Sequence, residues 1–271
     1  MQRTTVITGA SDGIGAAAAK MLANPGDTLV LVGRSPEKTK AIADELECEY
    51  FLADFTELKQ VRTLAAELSK KYPRIDVLAN NAGGVMGHRE VTVDGHEKTF
   101  QVNHLAPFLL TTLLIEKLVA DRATVINTSS AAHKVMAKFD IDDLDAVKRY
   151  RTNAAYGNAK LANILFTKEL QRRYGDHGVN AVAFHPGVVA SNFSAESVGP
   201  IKLAYSSVAK RFLLTSAEGA DTLVWLATTE PGTDWTPGEY YVRRKLTEPS
   251  RQAQDPALAL QLWEHSAAMI Q

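Results

Sequence analysis

Short β-branched segments alternate with longer helical patterns along the chain, and this alternation constrains the fold more than any other feature of the sequence. It begins with a predicted strand at Thr4–Thr8, the alanine-rich helix Ile14–Ala23 and a strand at Thr28–Val32. Further strands are predicted at Tyr50–Ala53, Asp76–Asn80, Thr124–Thr128, Val179–Phe184 and Glu239–Val242. Further helices are predicted at Glu37–Leu46, Glu57–Lys71, Glu97–Val119, Ala154–Tyr174, Ile201–Leu214, Ala217–Ala227 and Pro256–Ile270. Alternating strands and helices form βαβ units, and strands that are apolar throughout are covered on both faces, so the sequence predicts an α/β fold with a parallel sheet.

The composition is that of an ordinary globular protein and excludes several functional classes. Of the 271 residues, 45% are hydrophobic and 23% are charged, and no repeat or linker divides the chain, so we expect one domain over residues 1–271. The formal net charge of −1 gives no electrostatic case for binding nucleic acid or an anionic membrane. The single cysteine, Cys48, has no intrachain disulfide partner and fits a reducing compartment. No segment resembles a signal peptide or a membrane anchor, so we expect a cytoplasmic protein.

A glycine-rich loop joins the first predicted strand to the first helix. Its sequence is Thr8-Gly9-Ala10-Ser11-Asp12-Gly13-Ile14-Gly15. Gly9 permits a tight turn, Gly13 permits close approach of a pyrophosphate, and Gly15 permits close packing of helix and sheet. The helix N-terminus then offers free N–H groups to an anion. The alternative is a plain glycine turn, but its place between strand and helix favours a dinucleotide-binding loop.

The end of the second strand bears on the choice of cofactor. An acidic residue there favours NAD because it accepts hydrogen bonds from ribose hydroxyls. This chain has Gly33-Arg34 instead, and a guanidinium suits the 2′-phosphate of NADP. Asp12 opposes this interpretation slightly, and Arg34 as a helix cap or a solvated side chain is the alternative.

A tyrosine and a lysine stand one helical turn apart in Tyr156-Gly157-Asn158-Ala159-Lys160. On a helix they share a face, and an ammonium beside a phenol favours the phenolate, so the tyrosine becomes a usable general acid or base near neutral pH. The spacing alone is weak evidence. Ser130 follows one predicted strand and Asn81 another, at the sheet edge where parallel α/β proteins bind ligands.

Together these motifs resemble the short-chain dehydrogenase/reductase family. The matching residues, in the family's order between residues 4 and about 192, are Thr8-Gly9-x3-Gly13-Ile14-Gly15, Asp54, Asn80-Asn81-Ala82-Gly83, Asn103, Ser130, Tyr156-x3-Lys160 and Pro186-Gly187. The segments 91–97, 102–105 and 156–163 are similar to the retinol-dehydrogenase-like branch, whose members often carry an N-terminal membrane anchor that we do not find here. The resemblance implies a single-domain, Rossmann-type, doubly wound parallel sheet with helices on both faces.

The resemblance also implies roles for the matching residues. Tyr156 would transfer a proton to or from the substrate oxygen, and Lys160 would assist Tyr156 and hold the nicotinamide ribose. Ser130 would hydrogen-bond the substrate oxygen, and Asn103 would position a water in a proton relay. The cofactor would contact Gly9, Ser11, Asp12, Gly13, Ile14, Gly15, Arg34, Asp54, Phe55, Asn81, Ala82, Gly83, Tyr156, Lys160, Pro186, Gly187, Val189 and Ser191, the last of which stands where the family usually has threonine.

The predicted function is an NADP-dependent oxidoreductase that interconverts an alcohol and a ketone or aldehyde, with NADPH preferred over NADH. Loops at about residues 131–153 and 190–215 would shape the substrate pocket. Apolar residues in and near them predict a fairly apolar small-molecule substrate; they are Phe139, Leu144, Val188, Val189 and Phe193. The family resemblance also implies a homodimer or homotetramer.

Two other functions stay open at the sequence level. The first is a catalytically silent NADP(H)-binding sensor or scaffold, which has no physical need for Asn103, Ser130, Tyr156 and Lys160 together. The second is sugar epimerisation or dehydration, whose enzymes are usually longer and differ in glycine spacing. We expect no metal site, because the seven histidines and one cysteine show no ligand-pair spacing.

Overall fold

The computed structural model describes residues 2–189 and 213–271, which form one sheet with helices on both faces. The strands are β1 (Thr4–Thr8), β2 (Thr28–Gly33), β3 (Glu49–Leu52), β4 (Val77–Asn80), β5 (Thr124–Thr128), β6 (Asn180–His185), β7 (Tyr240–Val242) and β8 (Lys245–Leu246). Their order is β3-β2-β1-β4-β5-β6-β7-β8, parallel throughout except that β8 runs antiparallel to β7. The predicted doubly wound parallel sheet is therefore confirmed, and β8 is a short addition that the sequence did not indicate.

The helices agree with the predicted ones to within one or two residues at most ends. They are α1 (Gly13–Leu22), α2 (Pro36–Glu45), α3 (Leu58–Lys71), α4 (Lys98–Phe100), α5 (Ala106–Leu113), α6 (Ile115–Ala120), α7 (Ala132–Val135), α8 (Thr152–Tyr174), α9 (Ser216–Thr228) and α10 (Pro256–Met269). Short side chains cap several of these helices. Ser35 begins α2 and Thr215 begins α9 in a reciprocal capping box with Glu218. The predicted helix Ile201–Leu214 lies almost wholly outside the described residues.

The prediction of one continuous helix over Glu97–Val119 is wrong. The segment contains α4, a π-helical turn at Gln101–Leu105, α5 and α6, with a non-helical residue at Leu114. Pro107 has no N–H to donate to the residue four positions earlier, and its ring crowds that carbonyl, which disfavours regular α-helix here. The wider π turn accommodates this, with the Ala106 N–H bonded to the Gln101 carbonyl.

Successive residues of the central strands pack into two separate apolar cores, one on each face of the sheet. Val6 and Leu78 lie in a core with residues of α3, α5 and α8, whereas their neighbours Ile7 and Ala79 lie in a core with residues of α1 and α9. All four are completely or almost completely buried. Burial on both faces explains why these strands read as continuous apolar runs in the sequence.

The strand order reverses between β1 and β4, and there the chain leaves the sheet in opposite directions. A crevice opens at the carboxyl ends of the strands at such a switch point, and this is where open α/β sheets bind ligands. Residues at or just after the ends of β1, β2, β4, β5 and β6 all border one cavity at this edge.

Candidate active site

The cavity at the carboxyl edge has a volume of about 790 Å³ and gathers most of the predicted site residues. Those on its wall are Gly9, Ser11, Asp12, Gly13, Ile14, Gly15, Arg34, Asp54, Phe55, Asn81, Ala82, Gly83, Ser130, Tyr156, Lys160, Pro186, Gly187 and Val189. Asn103 lies behind the wall rather than on it, and Ser191 lies outside the described residues. The residues span 180 positions of sequence, so their convergence is a property of the fold.

The glycine loop is packed tightly against the end of β4. Gly9 and Gly13 have φ of +68° and +55°, in the left-handed region that favours glycine. A Cβ on Gly9 would lie 2.7 Å from the Ala82 Cα, and one on Gly15 would lie 2.2 Å from the Gly9 carbonyl oxygen. The absent side chains therefore bring loop, helix and neighbouring strand together, which the sequence predicted for Gly15 but not for Gly9.

Thr8 and Asn81 hold this loop in place through backbone hydrogen bonds. The Thr8 hydroxyl accepts from the N–H groups of Asn81 and Ala82, each at 3.0 Å. In return the Asn81 side-chain amide donates to the Thr8 carbonyl at 3.0 Å. The N-terminus of α1 consequently faces the cavity in a fixed orientation, where its N–H groups can receive an anion.

Two cations stand at the end of the cavity next to β2. Arg34 follows the strand and is exposed, and among the described residues no carboxylate forms an ion pair with it. Lys38, in the first turn of α2, also lines the cavity, and its Nζ lies 2.9 Å from Asp12 Oδ2. Sequence reasoning missed Lys38. Its position in the first turn of α2, four residues after Arg34, could have indicated a second cation at this end of the cavity.

Asp54 and Phe55 border the cavity on the β3 side. The Asp54 carboxylate accepts from the Thr56 N–H at 2.9 Å and the Thr56 hydroxyl at 2.8 Å. Phe55 is buried in the core that also contains α3 residues. Asp54 therefore shapes the turn before α3, and both residues form part of the cavity wall.

Tyr156 and Lys160 lie one turn apart on α8 at the opposite end of the cavity. Both are buried, with 6% and 2% of their surface exposed, and Lys160 Nζ lies 5.5 Å from the Tyr156 ring centroid. Lys160 Nζ donates to the Thr128 carbonyl at 3.2 Å. Burial lowers the pKa of Lys160 to about 7. A lysine with that pKa can gain or release a proton near neutral pH.

The two serines after β5 have different surroundings. The buried Ser129 hydroxyl donates to the Lys160 carbonyl at 2.7 Å. The Ser130 hydroxyl is partly exposed on the cavity wall and accepts from the Ala132 N–H at 3.2 Å, which leaves its own proton for another acceptor. Ser130 is thus placed to donate to a bound molecule, whereas Ser129 fixes the backbone of α8.

Asn103 lies in the π-helical turn, fully buried, with its side chain bonded to backbone. Its amide donates to the carbonyls of Gly84 and Thr99, and its Oδ1 accepts from the Gly84 N–H at 3.0 Å. A Cβ on Gly83 would lie 2.4 Å from Asn103 Oδ1 and 3.2 Å from Lys160 Nζ. Asn103 and Lys160 therefore approach the same glycine from two sides, and Asn103 fixes the loop between them.

The segment after β6 forms another part of the cavity wall. Gly187 has φ of +88°, and a Cβ there would lie 2.4 Å from a methyl carbon of Leu214. The Leu214 N–H donates to the Val188 carbonyl at 2.9 Å. Val189 is buried whereas Val188 is 49% exposed on the cavity wall.

Two histidines that the sequence analysis did not assign lie near Ser130. The Ser250 N–H donates to His133 Nε2 at 3.1 Å, so Nδ1 carries the proton and donates to the Ser130 carbonyl at 2.6 Å. Burial lowers the pKa of His133 and, more strongly, that of His185, to about 4. His185 lines the cavity with Nδ1 buried and without a hydrogen-bond partner in the described structure. Both imidazoles are neutral at physiological pH.

One part of the cavity wall is apolar, and it contains only some of the residues predicted for it. Phe139 and Leu144 pack into the core beneath α8 and do not line the cavity, so their prediction as pocket residues is wrong. Phe193 lies outside the described residues. Val188 and Val189 do line the cavity as predicted, and Val85, Met86, Val135 and Met136 complete the apolar wall. The side chain of an apolar loop residue can pack into the core or line the cavity, and hydrophobicity alone does not indicate that Phe139 packs into the core.

The described part of the chain contains neither a cluster of metal ligands nor a membrane-spanning helix. Over residues 2–189 and 213–271, no three histidine, cysteine or acidic side chains cluster as metal ligands would. Within the same ranges, no helix combines the length and the hydropathy that crossing a bilayer requires.

Comparison with known proteins agrees with this geometry. A sequence model of the short chain dehydrogenase family matches residues 3–200. The chain is 44% identical over 275 residues to a Streptomyces sp. (strain C5) protein provisionally assigned as the daunorubicin C-13 ketoreductase DnrU, covering 99% of this chain and 92% of that protein. It is 37% identical over 289 residues to human retinol dehydrogenase 13, covering 99% and 84% respectively.

Solved structures show the same fold over nearly the whole chain. An uncharacterized protein from Mycobacterium paratuberculosis has a TM-score of 0.79 at 31% identity, with 99% of this chain and 93% of that chain covered. A protein from Beutenbergia cavernae, provisionally described as an NAD(P)-dependent gluconate 5-dehydrogenase with bound NADP, has a TM-score of 0.71 at 25% identity, with 89% and 94% covered. Family model, relatives and fold agree, and the chain therefore belongs to the short-chain dehydrogenase/reductase family, as an oxidoreductase of its retinol-dehydrogenase-like branch.

Proposed function

We propose that this protein is an NADP-dependent oxidoreductase that interconverts an alcohol and a ketone or aldehyde, with Tyr156 as the general acid and base. The observation that carries the proposal is the arrangement at the two ends of one cavity. Arg34 and Lys38 supply positive charge at one end, and the buried pair Tyr156 and Lys160 lies at the other. The proposed catalytic set favours an enzyme over a silent binding module.

The cavity residues fit a nicotinamide dinucleotide. The N-terminus of α1 supports a pyrophosphate, the cations by β2 suit a 2′-phosphate, and the wall after β6 faces the Tyr156 end. The cavity volume is in the range of about 300–1,000 Å³ that is usual for ligand sites. When bound, NADP(H) would supply or accept the hydride.

In the reducing direction, the proposed roles follow from the hydrogen-bonding capacity of each group. The Ser130 hydroxyl donates to the substrate carbonyl oxygen and holds it beside Tyr156. The Tyr156 hydroxyl gives its proton to that oxygen as negative charge develops. Lys160, held by the Thr128 carbonyl, lies close enough to the Tyr156 ring to stabilise the phenolate that remains. Oxidation reverses these proton transfers.

We propose a bulky, largely apolar ketone or aldehyde as substrate. The support is the apolar wall, of which Val135 and Val188 are 76% and 49% exposed without a bound molecule. Apolar side chains exposed at a cavity mouth gain by contact with an apolar ligand. The names of the relatives above, a C-13 ketoreductase for daunorubicin and a dehydrogenase for retinol, favour the same substrate class.

The test has a binding part and a catalytic part. Titration with NADPH and NADH, followed by nicotinamide fluorescence, is expected to show tighter binding of NADPH. Tyr156→Phe is expected to lower turnover of a screened apolar ketone by about 10²- to 10⁴-fold while NADPH still binds. Tyr174→Phe is the matched control on the same helix, outside the cavity, and is expected to retain activity. Preference for NADH would contradict the cofactor assignment, and full turnover by Tyr156→Phe would contradict the mechanism.

A further inference from the structure

The end of the cavity next to β2 contains the acidic residue Asp12 beside the cations Arg34 and Lys38. Asp12 Oδ2 lies 2.9 Å from Lys38 Nζ, and Asp12 Oδ1 accepts from the Gly13 N–H at 2.7 Å. Both side chains line the cavity, half exposed, so they are accessible to a ligand. Arg34 beside them forms no ion pair with a carboxylate among the described residues. One of the two cations available for a phosphate is thus already paired.

We propose that Asp12 is a specificity-determining residue that weakens the preference for NADP(H) over NAD(H) by competing for Lys38. The inference rests on the proposed function, in which the adenosine ribose lies near Arg34 and Lys38. A 2′-phosphate must draw Lys38 away from Asp12 or share it, and it also meets the Asp12 charge directly. A 2′-hydroxyl carries no charge and meets neither opposition, so Asp12 acts on one cofactor and not on the other.

The expected size follows from the exposure of the pair. Half-exposed ion pairs contribute little, and the loss of one such competitor changes an affinity by up to about fivefold. Relief of repulsion between a carboxylate and a phosphate adds a smaller factor of less than about threefold, because both groups are exposed to solvent. Asp12→Asn, which can still accept from the Gly13 N–H, is therefore expected to raise the preference for a 2′-phosphate by about three- to tenfold.

Lys38 provides the internal check on this competition. In a Lys38→Met background Asp12 no longer competes with a phosphate for Lys38, so Asp12→Asn there is expected to change the preference by less than about threefold. The double-mutant cycle thus separates competition for Lys38 from simple repulsion. Glu37→Gln is the matched control, because Glu37 precedes Lys38 on α2, is exposed and does not line the cavity. It removes the same charge and is expected to leave the preference unchanged within about twofold.

The experiment is calorimetric titration of the full chain with adenosine 2′,5′-bisphosphate and with 5′-AMP, which need no catalytic step. Wild-type protein that binds the bisphosphate more tightly, with Asp12→Asn increasing that ratio and Lys38→Met reducing the increase, supports the proposal. An unchanged ratio in Asp12→Asn, or an equal increase with and without Lys38, overturns it and leaves the proposed function standing. Wild-type protein without preference for the bisphosphate contradicts the proposed NADP specificity, and it overturns this inference as well when Asp12→Asn also shows no preference.

Discussion

Replacement of the buried lysine should abolish activity and at the same time stabilise the protein. Lys160 is 2% exposed, its amine donates to the Thr128 carbonyl, and among the described residues no carboxylate pairs with it. Burial lowers the pKa of its amine from an ordinary 10.5 to about 7. At ~1.4 kcal/mol for each pH unit, that difference amounts to about 5 kcal/mol against the charged form in the folded protein.

Lys160→Met removes this cost and keeps the apolar part of the side chain. The lost hydrogen bond to the Thr128 carbonyl offsets about 1 kcal/mol of the gain. We therefore expect the free energy of unfolding to rise by about 2–4 kcal/mol at pH 7, with turnover lowered by at least about 10²-fold. Urea unfolding and a ketone reduction assay measure the two effects on the same preparation.

The pH dependence gives a sharper test than the difference at one pH. Between pH 7 and 10.5 the unfolded chain keeps the Lys160 proton that the folded protein has released. Wild-type stability therefore gains up to ~1.4 kcal/mol per pH unit from this group, and the advantage of Lys160→Met shrinks as the pH rises. Lys168→Met, a partly exposed lysine of α8 paired with Glu239, is the control and should show no such trend. A Lys160→Met variant less stable than wild type at pH 7, or with the wild-type pH slope, would refute the reasoning.

Three further predictions concern a buried histidine, the glycine loop and the two serines after β5. Burial lowers the pKa of His104 to about 4, so stability is expected to fall by up to about 3 kcal/mol between pH 6.5 and 4, and His104→Gln should flatten that part of the urea-unfolding profile. Gly15→Ala places a Cβ 2.2 Å from a carbonyl oxygen, so it should lower the free energy of unfolding by more than about 2 kcal/mol and should also weaken cofactor binding. Gly26→Ala has open space around its Cβ and should lower the free energy of unfolding by only ~1 kcal/mol, because of its positive φ. Thermal unfolding measures both effects. Ser129→Ala should lower the free energy of unfolding by about 1 kcal/mol, whereas Ser130→Ala should lower kcat by about 10²-fold at nearly unchanged stability. The reverse pattern would contradict the roles assigned to the two serines.

The sequence predicts the sheet well because each parallel strand carries its own signal. Buried strands are short, β-branched and apolar throughout, and turn residues bound them. β5 was predicted with the same ends that the structure shows, and β1 likewise. The parallel arrangement then places the carboxyl ends of these strands at one edge, so the sequence alone predicts that Ser130 and Asn81 lie near each other.

The break in the segment 97–119 was not predictable from hydrophobic spacing, which continues through it. The π turn depends on Pro107 and on Asn103, whose amide bonds to the backbone of another loop, 19 residues away in sequence. A long-range contact of that kind leaves no local pattern. Pro107 is a local signal for a break in the helix, but the apolar periodicity continues across it.

Side-chain direction accounts for the remaining differences. Lys38 belongs to a run of charged residues on α2 that is typical of a solvated helix face, and only the three-dimensional position of Asp12 brings it to the cavity. Phe139 has the composition of a pocket residue but points into the core. Composition states what a loop residue can contact, whereas the backbone path decides what it does contact.

His133 joins two parts of the chain that are 117 residues apart, since it bonds to the Ser130 carbonyl and receives the Ser250 N–H. This bridge matters for recombination between relatives, in which C-terminal segments are exchanged to alter substrate range. A transplanted segment whose backbone no longer presents an N–H at position 250 would leave the imidazole without its donor and let the Ser130 turn move. Chimeras should therefore inherit residues 133 and 250 from the same parent, as one unit of design.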